Sequence, residues 1–469
     1  MTRRRRTKLV ATLGPASDSP RVLEQLLTVG VDCIRVNCSH GSVEESRRLA
    51  RQARAAADRV GRPLALLFDL QGPKLRLSAA TPTRTVRVAE KLSFAGSEHA
   101  ASNGAVRVDY PGFAQLVTTR SEIVIGDGVP RFAVSDVRDD VVFAHALSSG
   151  VVSARKGVNV TRATPTLPAI TEKDTADLAL AAEVGADYVA LSFVRGPGDV
   201  EDLRDRLRNL GSRARTIAKI EKVEAYERLD EILEVTDGVM VARGDYGIEA
   251  GPARVPLMQK DTIYRATAAG KVVITATHML ESMIHAPEPT RAEAADIANA
   301  VIDGTSAVML SAETAIGEHP IEAARAMADI AHAAEAYPVI HGRAHATGAG
   351  TAAAVLHAAV QLGDALNAAA VLCPTTTGAG PRTCSKYRPQ KPILALADDP
   401  IVRNQLMLEW GVQPIATQRT TTLDELADES LRAARDVAGL PSGSRVVLTA
   451  GRRQGTPGAT SLIMIREIP

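Results

Sequence analysis

Two segments decide the fold of this chain: Thr216-Ile217-Ala218-Lys219-Ile220-Glu221 and, one helix length later, Gly238-Val239-Met240-Val241-Ala242-Arg243-Gly244-Asp245. Each is a short apolar run that ends in charge. Side chains alternate faces along a strand, so Lys219 and Glu221, two residues apart, point the same way. The second run reads as a buried strand, and Glu221 and Asp245 then leave adjacent strands at the same end. Two carboxylates converging there suit Mg²⁺, a hard cation that takes oxygen ligands and shares them with a substrate phosphate. Lys219 beside them would neutralise charge on a phosphoryl group in transfer. A structural reading stays open at this point: Lys219 and Glu221 as an ion pair inside a barrel, and Asp245 as a cap of the next helix.

Working outward, apolar β-rich runs recur at Lys8–Leu13, Cys33–Asn37, Leu64–Asp69, Tyr188–Phe193, Thr216–Glu221, Val239–Ala242, Val272–Thr277 and Ala307–Ser311. Amphipathic segments lie between them, among them Val22–Val29, Val43–Arg59, Thr175–Val184, Val200–Leu210, Ala225–Leu233 and Ala292–Ala300. Eight alternations of strand and helix predict a parallel, closed (β/α)₈ barrel. Such barrels carry their chemistry at the C-terminal strand ends. Polar residues collect there: Arg35 and Asn37, Asp69, Ser192, Lys219 and Glu221, Arg243 to Asp245, Thr277, and Ser311 with Glu313.

The third strand is not followed directly by a helix. From residue 72 to 167 the pattern changes to short alternating runs: Thr85–Val88, Ala105–Val108, Glu122–Ile125, Phe132–Val134, Val141–Ala144 and Val158–Val160. Turn signals such as Gly126-Asp127-Gly128 separate them, which predicts a small β-barrel domain inserted in a barrel loop. Its place over the strand ends suits a lid that excludes water, and equally an insertion with no moving part. The catalytic barrel is then 1–71 with 168–338. A linker follows at Tyr337–Gly350, and 339–469 forms a C-terminal α/β unit with strands near Ala368–Cys373, Ile393–Ala397, Gln413–Ala416, Arg445–Thr449 and Ser461–Ile465.

Composition bounds the class. The 469 residues exceed one ordinary domain, and 45% hydrophobic with 23% charged residues describes a globular chain. Aromatics are only 3%, so the core is built from Ala, Val, Leu and Ile. A net charge of +1 gives no global pull toward nucleic acid or membrane, and the Arg3–Arg6 run reads as a solvated tip with no apolar signal segment after it. No apolar run approaches the roughly 20 residues a membrane helix needs. Cys33, Cys38, Cys373 and Cys384 lack metal-ligand spacing and favour a reducing, cytoplasmic setting. There is no P-loop motif. Gly348-Ala349-Gly350-Thr351-Ala352-Ala353 imitates a dinucleotide fingerprint but follows a linker rather than a strand. Thr375-Thr376-Thr377-Gly378-Ala379-Gly380 follows a strand and opens a helix, where free N–H groups attract phosphate, and on sequence grounds it reads at least as readily as an ordinary Gly-rich turn with a helix N-cap.

With these residues in view, the chain resembles the pyruvate kinase family along nearly its whole length. The resemblance lies in Arg35-Val36-Asn37-Cys38-Ser39-His40-Gly41, Asp69-Leu70-Gln71-Gly72-Pro73-Lys74-Leu75-Arg76, Lys219-Ile220-Glu221, Met240 to Asp245, Ala276-Thr277-His278-Met279-Leu280-Glu281-Ser282-Met283 and Pro289-Thr290-Arg291-Ala292-Glu293. It implies phosphoryl transfer from phosphoenolpyruvate to ADP, giving pyruvate and ATP. Glu221 and Asp245 would bind Mg²⁺ or Mn²⁺. Lys219 would stabilise the phosphoryl group in flight, and Arg35 would contact the phosphate. Gly244, Asp245 and Thr277 would hold the substrate carboxylate. Asn37, Ser39, His40, Arg76 and Lys156 would place the nucleotide, and a relay near Thr277 and Ser311 would protonate the enolate.

Departures from the family pattern carry their own implications. The family's monovalent-cation site corresponds to Asn37, Ser39, Asp69 and position 70, where Leu70 lacks the usual hydroxyl. Lys74 stands where K⁺-dependent members carry Glu, so activity without K⁺ is expected. His278 and Tyr246 replace common Gln and Leu and read as packing changes. The loop of Thr375, Thr376, Thr377, Gly378 and Gly380 resembles an effector loop. Gly380 in place of a hydroxyl residue weakens the case for fructose bisphosphate and leaves another phosphorylated effector, such as a nucleotide monophosphate or a sugar monophosphate, at least equally open. A cytoplasmic homotetramer is implied. Two other readings stay open: a catalytically silent homologue that binds phosphorylated metabolites, and a Mg²⁺-dependent lyase or aldolase acting on pyruvate enolate.

Overall fold

The computed structural model describes residues 5–96, 104–126, 128–161, 167–337, 350–451 and 459–469. Eight parallel strands close into a barrel: β1 (Lys8–Thr12), β2 (Cys33–Asn37), β3 (Ala65–Asp69), β4 (Tyr188–Leu191), β5 (Arg215–Ile220), β6 (Gly238–Ala242), β7 (Val272–Ala276) and β8 (Ala307–Leu310). They pair in chain order, with β8 returning to β1. These strands are covered on both faces, which is why they read as unbroken apolar runs rather than alternating ones.

Alternation still sorts their side chains. Val10, Cys33, Leu67, Ala190, Ile217, Met240, Ile274 and Met309 form one cluster within the barrel. Leu9, Ile34, Leu66, Phe68, Val189, Val239 and Val273 pack outward against the helices. Gly238 is required by crowding. A Cβ there would lie 2.7 Å from Ile217 Cδ1 and 2.8 Å from the Val272 carbonyl.

Helix ends follow local chemistry. Ser19, Ser42, Thr171 and Thr290 each accept an N–H bond from their helix's first turn, and Thr171 and Thr290 form reciprocal capping boxes with Asp174 and Glu293. The expected single helix at Ala225–Leu233 is instead two, Val223–Glu227 and Leu229–Val235. The break falls at Arg228 (φ −104°, ψ 21°). The fourth and eighth strands stop short of the expected Phe193 and Ser311, at Leu191 and Leu310. Phe193 has φ 55°, outside strand geometry, and its N–H turns to Glu221.

The inserted segment comprises short strands from Leu75–Arg76 to Gly157–Val160. The expected closed β-barrel is seen as a seven-stranded sheet with a separate two-stranded ribbon, Arg84–Val86 on Gly150–Val152. The ribbon makes no ladder with the larger sheet, so the described strands do not close on themselves. Leu75–Arg76 and Gly150–Val152 are too short to show alternation in the sequence, whereas Lys91–Ala95 alternates and is a strand that the sequence reading does not include. Its core includes Phe94 and Phe132, edge to face at 5.1 Å.

The C-terminal unit holds a five-stranded sheet in the order Val412–Ala416, Ile393–Ala397, Ala370–Pro374, Arg445–Gly451 and Thr460–Glu467, the last antiparallel. It plugs the N-terminal end of the barrel: Met407 and Leu408 join the interior cluster, and the Tyr188 hydroxyl donates to the Gln405 carbonyl at 2.6 Å. Residues 338–349, most of the expected linker, lie outside the described residues, as does Asp127 of the turn signal.

Buried Glu335, at the end of the helix Pro320–Ala334, accepts the N–H groups of Arg6 (2.8 Å) and Thr7 (2.6 Å) and pins the entry to β1. Glu335→Ala leaves both donors unpaired. The expected loss is about 2–4 kcal/mol, since a stranded buried donor costs roughly 1–3 kcal/mol. It is measured as a lower thermal midpoint, and an unchanged midpoint would contradict this role.

Candidate active site

At the C-terminal mouth of the barrel Lys219, the fifth residue of β5, meets two acids. Its Nζ lies 2.9 Å from Glu221 Oε1 and 3.2 Å from Asp69 Oδ1, and it donates to Ser192 Oγ at 2.7 Å. Burial disfavours the ammonium, but Asp69 and Glu221 more than offset it and raise the Lys219 pKa, so the charge is permanent. Asp69 is held the other way. Burial pushes its carboxyl up, yet Lys219 and Arg35 bring it below the usual range. Arg35 Nε donates to Asp69 Oδ2 at 2.7 Å, and Arg35 Nη1 donates to Thr12 Oγ1 at 3.0 Å. The same-face placement of Lys219 and Glu221 expected from their spacing is therefore present as a direct ion pair.

Glu221 sits just past the end of β5, 1% exposed, with Oε2 accepting the Phe193 N–H at 2.8 Å. Burial raises its pKa, Lys219 opposes the rise, and the charge of Asp245 adds to it. The charge of Asp245 is thus felt at Glu221. Asp245 occupies the first turn of the helix Arg243–Ala250, half-buried.

The loop after β7 is strained. Thr277 (φ 68°) and His278 (φ 53°) are both left-handed, a region costly for a β-branched residue. Arg243 holds them there, with its guanidinium donating to the carbonyls of Ala276 (3.2 Å), Thr277 (2.6 Å) and His278 (3.2 Å). Asp296 anchors the guanidinium from behind at 2.5 Å. The Gly244 N–H donates to Thr277 Oγ1 at 3.1 Å, so any ligand that uses this amide displaces that hydroxyl. Ser311, at the end of β8, has a buried Oγ with no hydrogen-bond partner, while its N–H donates to Glu313 at 2.7 Å.

Above the mouth, a cavity of about 250 Å³ lies between the inserted domain and the barrel. Its lining includes Lys74, Arg76, Asn159, Phe193, Lys222 and Asp245. Of the residues assigned to a nucleotide, Arg76 lines this cavity and His40 is exposed, its pKa lowered first by burial and then by the nearby charges of Arg76, Lys74 and Arg35. Asn37 Oδ1 accepts the Ser39 N–H at 3.2 Å. Lys156 is turned elsewhere, donating to the Val151 carbonyl of its own domain at 2.8 Å. The 375–380 loop lies in the C-terminal unit, apart from the mouth. It precedes the helix Ala379–Lys386, with the Gly378 N–H on Thr375 Oγ1 at 2.9 Å and Arg382 Nη1 on the Thr377 carbonyl at 2.7 Å.

The family model described as pyruvate kinase, barrel domain, matches residues 4–324, and the one described as pyruvate kinase, alpha/beta domain, matches residues 353–466. The chain belongs to the pyruvate kinase family. The pyruvate kinase of Geobacillus stearothermophilus is 39% identical over 473 residues, covering 99% of this chain and 81% of that protein. That of Sporosarcina psychrophila is 38% identical over 472 residues (99% and 80%), and pyruvate kinase 2 of Synechocystis is 38% identical over 471 (99% and 79%). Membership makes the chain a phosphotransferase and gives no support to the silent-homologue or lyase readings.

Sequence reasoning missed several parts of this pyruvate kinase fold's mouth. Phe193 was placed in a strand, whereas its N–H is a ligand of Glu221. Ser192 was marked only as a polar strand end, yet its Oγ receives the Lys219 ammonium and donates to the Leu70 carbonyl at 2.7 Å. Lys222 and Asn159 carry no motif. The one available signal was that Lys222 directly follows Glu221.

Arg243→Lys retains the charge but loses the planar fork that spans three carbonyls. Thr277 is then free to relax from its left-handed conformation. The expected result is a fall in kcat of about 10- to 100-fold, the scale of a 1 Å misplacement. Steady-state kinetics check it, and kcat within twofold of wild type would show that the loop holds without the fork.

Proposed function

We propose that the chain transfers the phosphoryl group of phosphoenolpyruvate to ADP, with the site residues in the roles assigned above. The observation that carries this reading is the Lys219 ammonium, fixed between Asp69 and Glu221 in the mouth that Asp245 also faces. A donor set of two convergent acids fits Mg²⁺ or Mn²⁺. Among the described residues no cluster of three or more His, Cys, Asp or Glu exists, so substrate oxygens and water would complete the shell. Glu221 and Asp245 would hold the ion, which when bound neutralises charge on the phosphate and enolate oxygens.

In this mechanism Arg35 and Lys219 orient the phosphate. The P–O bond to the enol oxygen breaks as an oxygen of the ADP β-phosphate takes up the phosphoryl group. The Lys219 charge is worth most while that group is loosely held. Gly244 and Asp245 N–H groups and Thr277 hold the carboxylate. The enolate carbon then takes a proton by way of Thr277 and Ser311, a role supported by the unpartnered buried hydroxyl of Ser311. Asn37, Ser39, His40, Arg76 and Lys156 place the nucleotide, which for Lys156 requires leaving Val151. Lys219→Met should leave Mn²⁺ and phosphoenolpyruvate binding within a few-fold while kcat falls at least about a thousandfold, because its charge matters mainly in the transition state. Surviving turnover in a coupled assay would refute this role.

Independence from K⁺ is part of the proposal. Asp69 already faces the charges of Arg35 and Lys219, and the Leu70 carbonyl accepts from Ser192, so two protein cations supply positive charge beside the oxygens of a monovalent-cation site (Asn37, Ser39, Asp69, Leu70), although Asp69 Oδ1 itself accepts no hydrogen bond. Lys74 adds a charge at the same mouth. Activity in K⁺-free buffer should be within about twofold of that in excess K⁺. Strong stimulation from a near-zero baseline would refute it.

A phosphorylated effector at Thr375, Thr376, Thr377, Gly378 and Gly380 and a cytoplasmic homotetramer complete the proposal. Exposed Leu257 and Tyr264, seven apart on the helix Val255–Ala268, support a contact between copies. Four free, buried cysteines suit a reducing compartment, and no described helix is long and apolar enough to cross a membrane.

A further inference from the structure

Three side chains tie the inserted domain to both elements that carry the acids of the metal site. Lys222 directly follows Glu221. Its Nζ donates to Glu249 Oε2 (3.1 Å), Asn159 Oδ1 (2.9 Å) and the Val160 carbonyl (3.4 Å), which uses all three of its protons. Asn159, on the strand Gly157–Val160, returns a bond from Nδ2 to the same Glu249 oxygen at 3.2 Å. The Lys222 and Glu249 side chains are 15% and 3% exposed, so this is a desolvated pair rather than a surface contact. Glu249 lies four residues after Asp245 on the helix Arg243–Ala250, hence on the same face and about 6 Å along the axis. A second bond, from Arg131 Nη2 of the inserted domain to the Ile248 carbonyl (3.1 Å), seats that helix turn.

We propose that Asn159, Lys222 and Glu249 form a clamp through which the seated lid sets the separation of Glu221 and Asp245. They are positioning residues. One clamp member adjoins each acid, and the third belongs to the lid, so lid seating and assembly of the ion's ligands become one event. The clamp also holds together two elements whose carboxylates repel, as the effect of Asp245 on Glu221 indicates. This inference rests on Glu221 and Asp245 being the metal ligands.

The test measures Mn²⁺ binding through the electron paramagnetic resonance signal of the free ion, which needs no turnover. Glu249→Gln, Lys222→Met and the charge-neutral Asn159→Ala are each expected to weaken Mn²⁺ about tenfold. The Lys222→Met, Glu249→Gln double variant should be no worse than the weaker single, because the residues act as one unit. A simple charge effect behaves differently: loss of the Glu249 carboxylate weakens the cation, while loss of the Lys222 ammonium tightens it. Opposite shifts in those two variants, or affinities within twofold of wild type in all three, overturn the clamp. Amide hydrogen exchange should rise together in 157–160 and 243–250, and a rise in 157–160 alone also overturns it. A wild-type protein that binds Mn²⁺ but fails to convert phosphoenolpyruvate and ADP would refute the kinase reading and leave the clamp in place.

Discussion

The mouth of this barrel depends on one buried ammonium. Lys219 stands where water is largely excluded, and such a charge survives only if opposite charges repay its desolvation. Asp69 does so from β3 and Glu221 from just past β5, on either side of β4, and Ser192 Oγ, just past β4, accepts a hydrogen bond from the ammonium. Asp69 in turn fixes Arg35, so two cations and two acids from three strands form one network. Its geometry is set by the parallel register, in which Asn37 lies opposite Asp69 and Lys219 opposite Met240. Such a network holds two fixed cations at the mouth of the barrel, with Lys219 between the two acids that keep it charged.

A second constraint is conformational. Thr277 sits in the left-handed region that β-branched residues avoid, and it stays there because Arg243 captures the carbonyls of that loop. The strain presents the Thr277 hydroxyl to the Gly244 amide at the start of the helix that also bears Asp245. From the far end of that helix Glu249 reaches the inserted domain. The helix Arg243–Ala250 therefore joins the barrel's chemistry to the inserted domain, although it has only eight residues.

Much of this was legible in advance. Eight apolar runs separated by amphipathic segments predict the barrel because a strand buried on both faces has no polar option along its length. The pairing of Lys219 with Glu221 follows from the two-residue repeat of a strand. The inserted domain was legible as a change of rhythm, but its ladder was not. Strands of two or three residues, such as Leu75–Arg76 and Gly150–Val152, carry too few alternations to reveal a register. Where the chain leaves a strand, prediction failed for a local reason: Phe193 is apolar and continues the pattern of β4, yet its backbone turns away to serve Glu221.

Sequence by itself determined the architecture, the acids and the central cation, because periodicity and adjacency act over a few residues and are written in order. Only the tertiary structure decided which cations face Asp69, how Arg243 strains Thr277, and that Asn159 meets Glu249 across 90 residues of chain. Those contacts join side chains from different loops, and their partners are chosen by barrel closure and by the packing of the inserted domain. No local pattern encodes such a choice, because each partner alone reads as an ordinary polar residue at the end of a strand or helix.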